Sequence, residues 1–166
     1  TAASASELST QLFFAADIFA TNTSLRRAFA DPSRDSAAKT GLVKDLFGKS
    51  LGSAAVELLA SVSTLRWSAG GDIVYVLEQL AIEAEASAAN INGELDAVED
   101  QVFELSRAVA ENFELRKALV GPGTAAAKSA LVTELLEKYV RHPGICKVLS
   151  RITAAHLLDW DGSVKC

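Results

Sequence analysis

The chain has 166 residues, 49% of them hydrophobic and 22% charged, with a formal net charge of −5 at pH 7. This composition excludes a disordered chain and suits one folded domain or two small ones. No apolar run approaches the roughly 18 residues of a membrane span, and Lys and Arg scattered through an acidic chain exclude a nucleic-acid surface.

Only 3 prolines occur and β-branched alternation is almost absent, so the chain reads as helical throughout. Residues 7–21 place Leu8, Leu12, Ala15, Ala16 and Phe19 on one face, widened by Phe13 and Ile18. Asn22 is the N-cap of a short helix carrying Leu25 and Phe29, which Asp31-Pro32 must end because the residue before proline avoids the α region. The next helix is expected from Asp35 or Ser36 to about Lys49, with Leu42, Val43, Leu46 and Phe47 inward. Another is expected from Ala54 to about Trp67, burying Val56, Leu59, Ala60 and Val62 or Ser63, with Gly70-Gly71 ending it and Asp72 capping its successor.

That successor, 73–89, is the long central helix. Ile73, Val76, Leu77, Leu80, Ala81 and Ala84 form its inner face by spacing. On the opposite side Tyr75, Ile82 and Ala86 form a second apolar stripe interrupted only by Gln79, where a solvent-facing helix would be polar. A second layer or a partner is expected to cover it, and these four residues are the candidate partner-binding site.

Asn90-Ile91-Asn92-Gly93 reads as a turn. Residues 94–111 set Leu95, Val98, Val102, Leu105 and Val109 on a bundle-facing side, with Glu94, Asp96, Glu99, Asp100 and Glu104 mostly outside. A short segment from Asn112 to Val120 reaches Gly121-Pro122. A helix from Thr124 to about Val140 carries Leu131, Val132, Leu135, Leu136 and Tyr139, and His142-Pro143-Gly144 stops it. The last helix, Ile145 to about Leu158, is read with Leu149, Ile152 and Ala155 or His156 inward, followed by a loose tail over 159–166.

An internal repeat organises these elements. A shift of 90 brings Gln11, Phe13, Ala20, Asn22, Leu25, Arg26, Ala28 and Pro32 onto Gln101, Phe103, Ala110, Asn112, Leu115, Arg116, Ala118 and Pro122. A shift of 89 brings Ala37, Ala38, Lys39, Leu42, Val43 and Leu46 onto Ala126, Ala127, Lys128, Leu131, Val132 and Leu135. The matches fall on residues that start, stop and bury helices, so duplication is the better reading than coincidence. The expected fold is an all-α helical bundle of two tandem repeats, 1–89 and 90–166, with the 73–89 helix packing against both.

Signals for chemistry are weak. His142 and Cys146 stand four apart, but no second ligand pair accompanies them, and His156 and Cys146 read as core residues. The carboxylates between Glu94 and Glu104 have the spacing of a solvated helix face. No phosphate-binding glycine loop and no nucleophile elbow is present. No catalytic residue, metal site or cofactor is expected. Cys146 and Cys166 stand far apart without a secretory segment, which fits free thiols in a reducing compartment. With no methionine in the chain, a piece of a longer protein is expected.

The segments NTSLRRAFADPSRDSAAKTGLVKDLFGKSLGSAAVELLASVSTLRW and GELDAVEDQVFELSRAVAENFELRKALVGPGTAAAKSALVTELL resemble the delta subunit of F-type ATP synthases, the bacterial relative of the oligomycin-sensitivity-conferring protein. The resemblance rests on the asparagine and leucine of a short helix, the proline stop, the lysine opening the next helix, and Leu58, Leu59 and Arg66, mostly in duplicate. The duplicated form is similar to the long actinobacterial type, some of which are fused behind a stalk b-like segment. The family's Tyr-Ala-x-Ala-Leu signature is not cleanly present, and its carboxy-terminal mixed domain is absent from these residues. The resemblance implies a non-enzymatic peripheral-stalk (stator) subunit on the cytoplasmic side of the bacterial plasma membrane. It would bind the N-terminal helix of alpha subunits and link the F1 head to the stalk b subunit or a fused b segment, without inserting in the membrane. A rival reading is a helical ligand carrier or regulatory adaptor with an apolar site between the repeats.

Overall fold

The computed structural model describes residues 1–122 and 124–157, and the expected all-α fold is what it shows: α-helices joined by short turns, with no strand among the described residues. The helices are α1 (Ala2–Thr21), α2 (Thr23–Ala30), α3 (Ser36–Phe47), α4 (Ser53–Ser63), α5 (Gly70–Asn92), α6 (Leu95–Glu111), α7 (Phe113–Val120), α8 (Ala125–Tyr139) and α9 (Pro143–Leu157). The chain divides into two compact units, Thr1–Ala88 and the residues from Ala89 onward. The readings of the 159–166 tail, Cys166 and the last helix reaching Leu158 lie outside the described residues, as do the inward side chains Ile152, Ala155 and His156.

Helix ends follow local chemistry. α1 begins five residues earlier than its apolar spacing suggested, because the Thr1 hydroxyl accepts the Ser4 N–H. Asn22 caps α2 through the Leu25 N–H, and Asp35 caps α3 through the Ala38 N–H. α4 stops at Ser63, short of Trp67. There the Ser63 and Thr64 hydroxyls donate to the carbonyls of Ala60 and Ser61, and the backbone tightens to i→i−3 bonds. Gly70-Gly71 is therefore the first turn of α5 and not the end of α4, and Asp72 sits within that turn, its carboxylate accepting the Ala69 N–H at 2.9 Å. The expected turn at 90–93 shrinks to Gly93. Its φ of +73° lets the Glu94 N–H reach the Ala89 carbonyl and its own N–H reach Asn90, the double bond that closes a helix around a left-handed glycine. Pro143 opens α9, a first-turn position where its missing N–H costs nothing.

In the first unit the core is built round Phe19 of α1. Its ring meets Phe29 of α2 edge-on at 5.0 Å and stacks on Phe47 of α3 at 6.1 Å. Leu59 and Val62 of α4 and Ile73 and Leu77 of α5 close over the same point. Each fully buried large apolar side chain there contributes about 1.5–3 kcal/mol. α3 packs through one line, Lys39, Val43 and Phe47, at i, i+4 and i+8, so Leu46 is 45% exposed and not inward as the wider stripe suggested.

The second unit repeats the design with a plainer centre. Leu136, Val140 and Ile145 form its core, with Val98, Leu105, Val132, Tyr139, Cys146 and Leu149 packed round it. By the repeat offset Val109 stands where the first unit has Phe19, Leu119 where it has Phe29, and Leu136 where it has Phe47. Val102, expected inward, is 42% exposed, and no residue of α6 is fully buried.

The hydrogen bonds duplicate as the residues do. Asn112 caps α7 through the Leu115 N–H as Asn22 caps α2. The Arg26 guanidinium donates to the carbonyls of Phe19 and Ala20 at the end of α1, and Arg116 donates to those of Val109 and Ala110 at the end of α6. Gln11 Oε1 accepts the Gly52 N–H at 3.0 Å, and Gln101 Oε1 accepts the N–H groups of Arg141 and His142 at 2.6 and 3.0 Å. The last pair ties α6 to the start of α9 as α1 is tied to the start of α4. The equivalence therefore extends past Val140, where the side chains no longer match.

Candidate interaction face

α5 carries the candidate site. Its buried residues start as a narrow line, Ile73, Leu77 and Ala81, and then spread sideways through Glu78 and Glu85 to Ala88 and Ala89. Glu85 is held by the Ser6 hydroxyl of α1, which donates to both carboxylate oxygens at 3.1 Å. Tyr75, Gln79, Ile82 and Ala86 follow at steps of four, three and four residues, so they share one side of the helix. Tyr75 is 62% exposed and Gln79 is exposed, whereas Ile82 and Ala86, beside the spreading flank, are half-buried. Val76, Leu80 and Ala84 of the expected inner face are half-buried as well.

The burial of Glu78 and Glu85 was not legible in the apolar spacing, because a glutamate interrupts the pattern instead of extending it. Lys39 and Lys128, at the same place in the two repeats, are also buried, with 6% and 2% of their surface exposed. Their shared identity was the one sequence signal that this polar position is built into each unit. The long methylene stem of lysine lets it lie along apolar neighbours.

Polar chemistry gathers at one further place in the second unit. His142 Nε2 lies 3.3 Å from Glu94 Oε2, and the Asn92 amide donates to the same carboxylate. Hydrogen bonds from Asn92 first, and then from the His142 ring, hold the Glu94 carboxyl below the usual carboxylate range. A depressed folded pKa stabilises the fold above the unfolded value, and that contribution is lost as pH falls through the folded value. Glu94→Gln is therefore expected to lower the urea midpoint near neutral pH, with the gap from the parent closing as pH falls below about 5. A gap that stays constant across that range would contradict the assignment.

Cys146 Sγ points to the Val140 carbonyl at 3.5 Å while His142 turns to Glu94, so the i, i+4 pair does not converge. Among the described residues no group of three potential metal ligands comes together, and no helix is long and apolar enough to cross a membrane. The cavity beside Phe19, Phe29, Leu59, Val62, Trp67, Ile73 and Leu77 holds about 10 Å³, room for at most one water.

No protein-family model matches the chain. Among curated proteins it is 39% identical to the ATP synthase subunit delta of Streptomyces coelicolor over 137 residues, 82% of this chain and 50% of that protein. It is 38% identical to the protein of the same name from Beutenbergia cavernae over 135 residues, covering 81% and 50% of the two chains. With that of Frankia casuarinae it shares 35% identity over 140 residues, covering 84% and 50%. The chain thus spans about half the length of the curated relatives it matches. Over the span it shares with them, the chain belongs to the delta-subunit family of F-type ATP synthases.

Proposed function

We propose that the chain serves as a non-catalytic peripheral-stalk subunit of an F-type ATP synthase, at the cytoplasmic side of a bacterial plasma membrane. It binds the N-terminal helix of an alpha subunit and links the F1 head to the stalk b subunit or a fused b segment while protons drive ATP synthesis. The observation that carries this reading is the match to subunits named delta across four fifths of the chain. The folded units support it: a stator must resist torque through broad apolar contacts, and Tyr75, Leu65 and Phe103 are large apolar side chains more than half exposed. In this reading Tyr75, Gln79, Ile82 and Ala86 form the helix-binding side of α5, and α5 is shared between the repeats, its inner line serving the first and its far end the second.

Titrating the chain into a fluorescent peptide of an actinobacterial alpha-subunit N-terminus is expected to give saturable binding in the micromolar range. Absence of binding at tens of micromolar, to both the peptide and the assembled catalytic head, would remove the adaptor reading.

A further inference from the structure

We propose that Asn92 is a site of spontaneous chemical modification: when the last turn of α5 opens, its side-chain amide is lost as ammonia, and the carboxylate left behind unfastens Glu94 from His142. A backbone nitrogen can attack the side chain of the asparagine before it, and attack is fastest where that nitrogen belongs to glycine, which has no side chain in the way. The asparagines of the chain are Asn22, Asn90, Asn92 and Asn112, followed by Thr23, Ile91, Gly93 and Phe113. Asn92 alone precedes a glycine. The fold cannot readily exchange that glycine, since its φ of +73° closes α5 in the left-handed region that side chains disfavour. The turn that ends the helix therefore carries its own reactive pair.

In the closed helix both partners are held back. The Gly93 N–H donates to the Asn90 carbonyl at 3.0 Å and the Glu94 N–H to that of Ala89 at 2.9 Å, so the attacking nitrogen is engaged. The Asn92 amide donates to Glu94 Oε2 at 3.1 Å, and that oxygen lies 3.3 Å from His142 Nε2. Asn92, Gly93 and Glu94 are exposed at the end of a helix, where local opening costs least. Once the turn opens, a base in solution takes the Gly93 N–H proton and the nitrogen attacks Cγ of Asn92. The new N–Cγ bond closes a ring, the Cγ–Nδ2 bond breaks, and Nδ2 takes up a proton and leaves as ammonia. Water then opens the ring. Addition at Cγ leaves aspartate, and addition at the main-chain carbonyl leaves isoaspartate, with the chain routed through the side chain. Water is consumed, ammonia is released, and nothing is oxidised or reduced.

The product opposes its surroundings. α5 ends at Asn92, so a carboxylate there sits at the negative end of the helix dipole. It also replaces the donor that Glu94 uses by a like charge. The Glu94–His142 contact, which joins the residue before α6 to the residue before α9, loses that support. Isoaspartate further displaces the two N–H groups that close α5. This inference does not depend on the alpha-subunit reading of the Tyr75 side of α5.

The test is peptide mapping by mass spectrometry of the full chain aged in mildly alkaline buffer, folded or in guanidinium chloride, with isoaspartate counted by a methyltransferase specific for it. Asn92 is expected to convert at least about tenfold faster in the denaturant than in the folded chain. In the denaturant it should also convert faster than Asn22, Asn90 and Asn112. Glu94→Ala removes the acceptor of the Asn92 amide and is expected to raise the folded rate at least about threefold, leaving the denatured rate unchanged. Asn92→Asp, which makes the aspartate product directly, is expected to melt below the parent, with a smaller loss in a Glu94→Gln background where the like charge is gone. Equal conversion of Asn92 in the two states, or faster conversion of another asparagine in the denaturant, would overturn the proposal. So would Asn92→Asp melting with the parent, or losing as much in the Glu94→Gln background.

Discussion

Phe19→Ala is expected to destabilise the first unit by about 3–5 kcal/mol, the largest single effect on folding in this chain. Phe19 is 2% exposed and its ring touches the aromatic residues of two other helices, Phe29 and Phe47. Removing it forfeits its own transfer energy and two ring contacts. It also opens a void beside a cavity that is already present, so the neighbours have little reason to close in. The second unit supplies an internal control, since Val109 occupies the same position half-buried, with Leu119 and Leu136 at the places that Phe29 and Phe47 hold in the first. Val109→Ala is expected to cost about 1 kcal/mol. Trp67 lines the Phe19 cavity, so its fluorescence during urea unfolding, in a background where Trp160 is replaced by Phe, reports on the first unit, while far-UV circular dichroism recorded alongside also follows the helices of the second. Equal costs at Phe19 and Val109 would show that the two centres are packed alike, against the burial described above.

Element order and most of the capping were readable from sequence because they depend on neighbours a few residues apart. Asn22, Asp35 and Pro32 act within one turn, and each lies where its local chemistry indicated. Helix lengths were harder. The end of α4 is set by two hydroxyls that take carbonyls at the same turn, and the start of α5 by an aspartate reaching backward over two glycines, neither of which an apolar period registers. The buried face of each helix was legible only where a helix packs broadly. α1 buries Leu12, Ala15, Ala16 and Phe19 as its spacing indicated, while α3 packs along a single line and leaves Leu46 out. The long-range ties were invisible as spacing, yet Gln11 with Gln101 and Arg26 with Arg116 were among the identities of the repeat. An identical polar residue in both copies was the trace of a hydrogen bond made twice. The four residues on the outer side of α5 were found by period alone, and their unequal exposure reflects the flank of Glu78 and Glu85, which sequence pattern did not reveal.

Ile82→Asp is expected to weaken binding to the alpha-subunit N-terminal helix by about thirtyfold, near 2 kcal/mol. Ile82 lies midway along the Tyr75–Ala86 stripe and is already half-buried, so a helix laid on that stripe would complete its desolvation. An aspartate there would enter the contact as an unpaired charge, for which Gln79 offers a hydrogen bond but no opposite charge. Tyr75→Ser, at a 62% exposed position, is the companion change. It should leave thermal unfolding unaltered and weaken binding by about tenfold, separating the interface from the fold. The most direct measurement is the affinity of parent, Ile82→Asp and Tyr75→Ser chains for the same assembled catalytic head, with melting curves recorded alongside. The account predicts graded loss of binding with melting of Tyr75→Ser unchanged. Binding of both variants at the parent's affinity would contradict it.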